Sequence, residues 1–394
     1  MRSTLHGPAA PGVGSSRLWD LDWLRVAAIL GIFVYHVGRL FDDLEPWHVK
    51  YHELTGWLTY PMALGAQFMM PLFWVLSGMG TWFALGTRPA GEFLRLRAAR
   101  LLVPVVTLGW WLSGLVQVYI ESTTGQRYNA PEFRGTLWEF LPHYVTNGLY
   151  GFGGFFPLTG LHLWYLTYLF LFTAASLPVF LWLRTASGER ATGQLAAVLC
   201  RRGALYLLAL PILVVEAFLP REVPVLAWEE GGWLLGSHWV FLVLGFVLVS
   251  DPRLRSAIRR HRWPSLMLAA TTTLPLALLA PTIGTLEPGS ADFVGFISLR
   301  CINGWLWLMA ILGFGTNFNR PAPVLGLLGP AVLPFYILHQ PLIIILGYIL
   351  RDWQAPIPVV YALVTVVVLA TSFLVYEFAI RRYAGLRVLF GMSS

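Results

Sequence analysis

Apolar runs alternate with short polar stretches along the whole chain, and each is close to the ~20 residues a helix needs to cross a bilayer. They lie near 21–40, 58–86, 101–120, 162–183, 203–219, 233–250, 265–283, 298–316, 326–349 and 358–380. The pattern predicts an all-α polytopic transmembrane helical bundle of about ten spans around a central cavity. Pro71, Pro104, Pro211, Pro334 and Pro341 interrupt the runs. Such breaks free backbone groups and are tolerated where helices surround a cavity. Residues 1–18 read as a disordered cytoplasmic tail, 19–385 as one transmembrane domain and 386–394 as a short cytoplasmic tail. The longest loop, 121–160, is expected to pack onto the outer face as a short interfacial or re-entrant helix. Its glycine run, GLYGFGGFFPLTG, follows no strand and so is no phosphate-binding fingerprint.

Charge changes this picture by giving it an orientation. Of the 27 Lys and Arg, nineteen fall in alternate connections on one side, including Arg88, Arg95, Arg97 and Arg100 and five arginines within 251–264. Five fall on the other side: Lys50, Arg127, Arg134, Arg221 and Arg351. Arg25, Arg39 and Arg300 lie at or within spans. By the positive-inside rule both termini are expected in the cytoplasm. Residues 1–18 lack the apolar stretch of a cleavable signal peptide.

Composition agrees. The chain is 57% hydrophobic and 12% charged, with mean hydropathy +0.64, where a soluble domain carries about 25% charged residues. A pI near 9.6 raises the question of nucleic acid. The arginines sit in short clusters between apolar runs, which fits loop charge and not a polyanion groove. Cys200 and Cys301 are expected near opposite faces, so no disulfide and no cysteine metal site is expected. His48, His52 and Glu53 lack the helix context of a metal site.

Chemistry concentrates in the first span, LDWLRVAAILGIFVYHVGRLF. Arg25 and His36 are eleven residues apart, three turns plus about 20°, so they share one stripe with roughly 16 Å between them along the axis. Ionisable residues inside a span are costly and mark function by default. A neutral imidazole at His36 can take a proton from a hydroxyl; the alternative is a histidine bound to a neighbouring helix. Arg25 reads either as a guide for a charged ligand or as a snorkelling interfacial residue. Arg97 and Arg100 share a helix face. They suit a phosphorylated ligand, and equally the topogenic charge that a cytoplasmic loop carries. Ser77, Gly78 and Gly80 are small residues that allow close helix packing. His339, between Pro334 and Pro341, either lines the cavity or stabilises a broken helix. Trp164 and Tyr165 read as acceptor-side lining or as aromatic packing.

Taken in order, several blocks carry a family resemblance. They are LDWLRVAAILGIFVYH with its R-x10-H spacing, PLFWVLSGM, RAAR before LLVP, HLWYLTYLF at 162–170 and FYILHQPLIIILGY at 335–348. They resemble the membrane acyltransferase-3 family over about residues 20–385, and within it the glucans biosynthesis protein C branch. That branch carries FRMPLFF where this chain reads QFMMPLFW. The resemblance implies O-acyl transfer in a bacterial inner membrane. The donor would be a cytoplasmic acyl-CoA, acetyl-CoA or succinyl-CoA. The acceptor would be a hydroxyl of a carbohydrate such as a glucan, and membrane lipid the surrounding partner. His36 would be the catalytic base, Arg25, Arg97 and Arg100 the CoA-binding residues, and His339, Trp164 and Ser77 cavity lining, with no metal. The rival class is a transporter or flippase, to which broken helices and buried charges also belong; no inverted repeat is visible to support it.

Overall fold

The computed structural model describes residues 17–44, 46–124, 132–148 and 160–392. The helices in chain order are α1 (Trp19–Gly38), α2 (Gly56–Leu85), α3 (Ala90–Thr124), α4 (Leu137–His143), α5 (Leu161–Leu183), α6 (Ala186–Leu199) and α7 (Ala204–Phe218). A two-stranded hairpin follows, β1 (Glu229–Glu230) and β2 (Trp233–Leu234). Then come α8 (Leu235–Ser250), α9 (Pro252–Thr285), α10 (Ala291–Phe318), α11 (Pro323–Leu350), α12 (Ile357–Ile380) and α13 (Ala384–Leu389). The protein is an all-α helical bundle of membrane-spanning type.

Among the described residues, eight helices are long and apolar enough to cross a membrane: α1, α2, α3, α5, α9, α10, α11 and α12. The other two expected spans are realised as shorter helices. α7 meets α6 at a bend of 118°, across Gly203 in the left-handed conformation (φ 82°), and its first six residues are wound as a tight 3-10 helix. α8 has sixteen residues, closed by the hairpin before it and by Asp251-Pro252 after it. Each is about 25 Å long, short of the ~30 Å hydrocarbon core. The two are consecutive, so whether both cross or neither does, the remaining helices keep the same alternation.

The helix expected within the 121–160 loop is present as α4. A reciprocal capping box starts it, with the Thr136 hydroxyl accepting from the Glu139 amide and the Glu139 carboxylate from the Thr136 amide. Those bonds hold the Glu139 carboxyl below its ordinary value by favouring the charged form. Phe140 and Tyr144 pack with Val118 and Leu161, and the Tyr144 hydroxyl donates to the Trp110 carbonyl at 2.5 Å. The glycine run of that loop and residues 1–16 lie outside the described residues.

α2 and α8 approach each other closely. A Cβ on Gly78 would lie 2.0 Å from the Leu242 carbonyl oxygen, and one on Gly245 would lie 2.1 Å from the Val75 carbonyl oxygen. The glycines are therefore reciprocal, each clearing the other helix's backbone, as small residues do between membrane helices. Gly245→Ala is expected to destabilise the protein by about 1–3 kcal/mol, the usual cost of overpacking. Gly91→Ala, where an added Cβ meets nothing within 4 Å, should be silent. Thermal unfolding of both variants in detergent checks this, and equal melting temperatures would remove the close-packing role.

Candidate functional site

α1 is unbroken from Trp19 to Gly38, so Arg25 and His36 keep the roughly 16 Å axial separation that helix geometry gives them. The site has two ends, and each gathers side chains from several helices.

At the Arg25 end, Asp22 pairs with Arg25 at 2.9 Å and with Arg17 at 2.8 Å. The second Arg25 nitrogen reaches toward the Leu76 carbonyl at 3.4 Å. Gly80 makes room for it: a Cβ there would lie 2.9 Å from that nitrogen. Arg97 and Arg100, from the first turns of α3, stand close enough for their charges to act on each other and on Arg25. Arg100 is exposed. The Arg97 Nε is buried with no hydrogen-bond partner, its guanidinium 5.5 Å from the Phe93 ring. Three guanidiniums thus converge here, and of them Asp22 is bound to Arg25.

Ser77 and Tyr165 form the next layer. Their hydroxyls lie 2.6 Å apart, and the Tyr165 hydroxyl also stands 3.1 Å from the Phe73 carbonyl. Tyr165 lies within electrostatic reach of Arg97 and Arg25, and its ring is 5.9 Å from the Tyr336 ring. Trp164, one residue away, stays partly exposed. It packs among Trp74 and His238, 6.4 and 5.5 Å between ring centres. Of the sequence-predicted residues, Ser77 therefore joins the arginine end through Tyr165, while Trp164 belongs to a neighbouring aromatic cluster.

The other end is built on α11. Pro341 has no amide hydrogen, so the Ile337 carbonyl loses its helical donor. His162, at the start of α5, supplies one through Nε2 at 3.2 Å. Tyr336 returns a hydroxyl bond to the His162 carbonyl. His339 is fully buried, and its Nδ1 lies 2.6 Å from the Tyr336 carbonyl oxygen. Its Nε2 meets His36 Nδ1 at 2.9 Å. The two imidazole planes differ by 17° and their centres are 5.0 Å apart, so the rings meet edge to edge, as an in-plane N–H···N bond requires. The structure thus joins His36 and His339, which the sequence offered separately. His36 remains partly exposed, and its Nε2 makes no hydrogen bond among the described residues.

A second polar group lies beside this pair. His48 Nδ1 is bonded to the Glu121 carboxylate, and its Nε2 lies 3.0 Å from Gln340 Nε2. Gln340 donates to Gln117 at 3.1 Å, and Gln117 reaches Glu121 at 3.4 Å. This closed ring ties the loop after α1 to α3 and α11. It holds Trp47 with its ring centre 6.1 Å from that of His36. His48 is thus bound into a hydrogen-bonded ring and does not group with His52 and Glu53. Among the described residues no group of three or more His, Cys, Asp or Glu is arranged to hold a metal ion.

Sequence reasoning missed His162, Tyr336, Trp47 and the His48–Glu121–Gln117–Gln340 ring. For His162 and Tyr336 a signal existed. Each lies within the quoted blocks, and Pro341 stands four residues after Ile337. The ring had none, because its members come from three segments far apart in the chain: the loop after α1, α3 and α11.

The family model described as an acyltransferase domain matches residues 18–377. No curated protein and no solved structure matches the chain. The matched region runs from the start of α1 almost to the end of α12 and contains both ends of the site, so the chain belongs to the acyltransferase-3 family and is a multi-span membrane acyltransferase.

Proposed function

We propose that this enzyme moves an acyl group from a cytoplasmic acyl-CoA to a hydroxyl of a carbohydrate acceptor, with His36 as general base. The observation that carries this reading is the division of α1: three guanidiniums gather at one end, and a partly exposed imidazole with an open Nε2 stands at the other. Acyl-CoA has the matching polarity. Its phosphates require charge-assisted donors, and its thioester sits at the far end of a long, thin pantetheine arm. Arg97 and Arg100 hold the phosphates, Arg25 guides the arm past Gly80, and the Ser77–Tyr165 layer lies on the route to His36.

In the chemical step the acceptor oxygen attacks the thioester carbonyl while His36 Nε2 takes the hydroxyl proton. The tetrahedral adduct collapses, the carbon–sulfur bond breaks, and the thiolate leaves and recovers the proton. The products are an ester and free CoA thiol, with no covalent enzyme intermediate required. The resemblance to the glucans biosynthesis protein C branch supports an acetyl or succinyl donor and a glucan acceptor in a bacterial inner membrane.

Three outcomes test this reading. For orientation, reporter fusions should place residues 251–264 in the cytoplasm and 132–148 outside; the reverse would detach the donor end from its CoA supply. For the donor, Arg97→Ala or Arg100→Ala should weaken acyl-CoA binding about tenfold to a hundredfold, since a bond to a charged group contributes about 1.5–3 kcal/mol. Titration of the folded double variant with acyl-CoA measures it, and undiminished affinity returns both residues to a topogenic role. For the base, His36→Gln should bind acyl-CoA normally yet lose about 10²–10⁴ in turnover. Near-normal transfer to a carbohydrate acceptor by His36→Gln membranes would sink the assignment.

A further inference from the structure

His36 is a useful base only in one of its two neutral forms. If its proton sits on Nε2, the atom facing the open side is already occupied and can take nothing from a hydroxyl. Which ring nitrogen carries the proton is set by the bond the other nitrogen makes, so the environment of His36 Nδ1 decides the matter.

That environment is fixed by a backbone atom. A carbonyl oxygen only accepts, so the 2.6 Å contact between His339 Nδ1 and the Tyr336 oxygen puts a hydrogen on His339 Nδ1. In the neutral ring His339 Nε2 is then a lone pair. Across 2.9 Å it faces His36 Nδ1, which must donate. His36 Nε2 is left as the lone pair. The order of protons therefore runs from the Tyr336 carbonyl through two imidazoles to the open side of His36, with every direction determined by the first bond.

Tyr336 is itself held. Its hydroxyl donates to the His162 carbonyl, and the His162 Nε2 donates to the next carbonyl along, Ile337, freed by Pro341. The His162 and His339 rings stand edge to face, 5.6 Å apart. Phe33 packs against the His339 ring at 5.4 Å, and Phe335 backs Phe33 at 5.9 Å.

We infer that His339 is a positioning residue: with the Tyr336 carbonyl behind it, it holds His36 as the Nδ1–H tautomer and keeps Nε2 free to accept the acceptor's proton. The inference rests on the proposed acyl transfer for its purpose, though not for its geometry. When His36 takes the proton, its positive charge develops against the His339 lone pair, so the bond strengthens as the reaction proceeds. A neutral pair serves where a carboxylate partner would have to be desolvated inside the bundle, at considerable cost.

The test separates tautomer from turnover. In protein labelled with ¹⁵N-histidine and reconstituted in lipid nanodiscs, the His36 ring signals are those lost in His36→Gln. Their shifts and couplings report which nitrogen carries hydrogen. Wild type should show Nδ1–H. His339→Leu, which keeps an apolar side chain of similar bulk but removes the acceptor, should move His36 to a mixture containing Nε2–H. Its turnover should fall about 10–100-fold, the usual loss when a supporting partner is removed, while acyl-CoA binding stays unchanged. His339→Gln should restore Nδ1–H and recover most of the turnover. The amide oxygen can accept from His36 while its NH₂ donates to Tyr336. Nε2–H on His36 in the wild type, or Nδ1–H persisting in His339→Leu, overturns the inference. A tautomer shift with undiminished turnover upholds the positioning role and overturns the assignment of His36 as base, so the two failures are distinct.

Discussion

A proline in a membrane helix leaves a carbonyl without its donor, and in hydrocarbon no water answers it. Much of this molecule is arranged around that constraint. Pro341 frees the Ile337 carbonyl, and His162 is drawn across from α5 to meet it. That bond brings the start of α5 against α11, with Tyr336 bonded back to His162. The same contact leaves the histidine rings of α1, α5 and α11 neighbours. Pro104 has a parallel effect at the other end. It frees the Arg100 carbonyl, against which Gly391 lies so closely that a Cβ there would come within 2.2 Å. The segment after α13 therefore lies against the helix that carries Arg97 and Arg100, with the Gly391 amide bonded to Val388 within its own turn.

Charge is distributed to match. Buried carboxylates elsewhere in the bundle are each tied to a partner. Glu216 meets Arg300 at 3.4 Å and accepts from Ser237 and the Leu234 amide, with Arg300 also 4.6 Å over the Trp233 ring. Asp42 takes Arg39 at 2.8 Å and Lys50 at 3.4 Å. Asp20 is bound by Arg255. The arginine end departs from this habit. Arg97 has no carboxylate among its bonded neighbours, and its Nε is buried without a hydrogen-bond partner. Arg387 Nε is likewise buried without a hydrogen-bond partner among the described residues, so what sets this end apart is the approach of three guanidiniums to one another, a repulsion that an anion would offset.

How much of this the sequence could say depended on the range of the interaction. Helix existence is a local property, so each of the ten apolar runs falls on a helix. The runs 203–219 and 233–250 match α7 and α8 to within two residues at either end, and both helices are shorter than a bilayer is thick because the left-handed Gly203 and the 229–234 hairpin stand immediately before them. The Arg25–His36 stripe was legible because one helix carries both. The glycine of LSG was legible as a packing residue, but its reciprocal partner Gly245 was not, since which helix lies opposite is a tertiary fact. His339 stood out as a histidine between prolines. Its bond to His36, 303 residues away, had no trace in spacing. The four-membered ring around His48 was invisible for the same reason.

The contrast between the two buried histidine systems shows what each is built to do. His48 has both ring nitrogens engaged, one by the Glu121 carboxylate and one by Gln340. Such a ring is closed: it has no lone pair to offer, and its carboxylate stabilises whatever proton it holds. It anchors the loop that places Trp47 beside His36. His36 has one nitrogen engaged and one open, and its partner His339 is neutral and ends on a backbone carbonyl. A carboxylate in that place would make His36 a stronger base but would hold the proton more tightly afterwards, and in acyl transfer from a thioester the proton must be returned to the departing sulfur. A neutral imidazole backed by an amide carbonyl binds it less firmly. The charged partner is found at the histidine bound through both nitrogens, and the uncharged one at His36, the histidine that the proposed acyl transfer would require to release its proton.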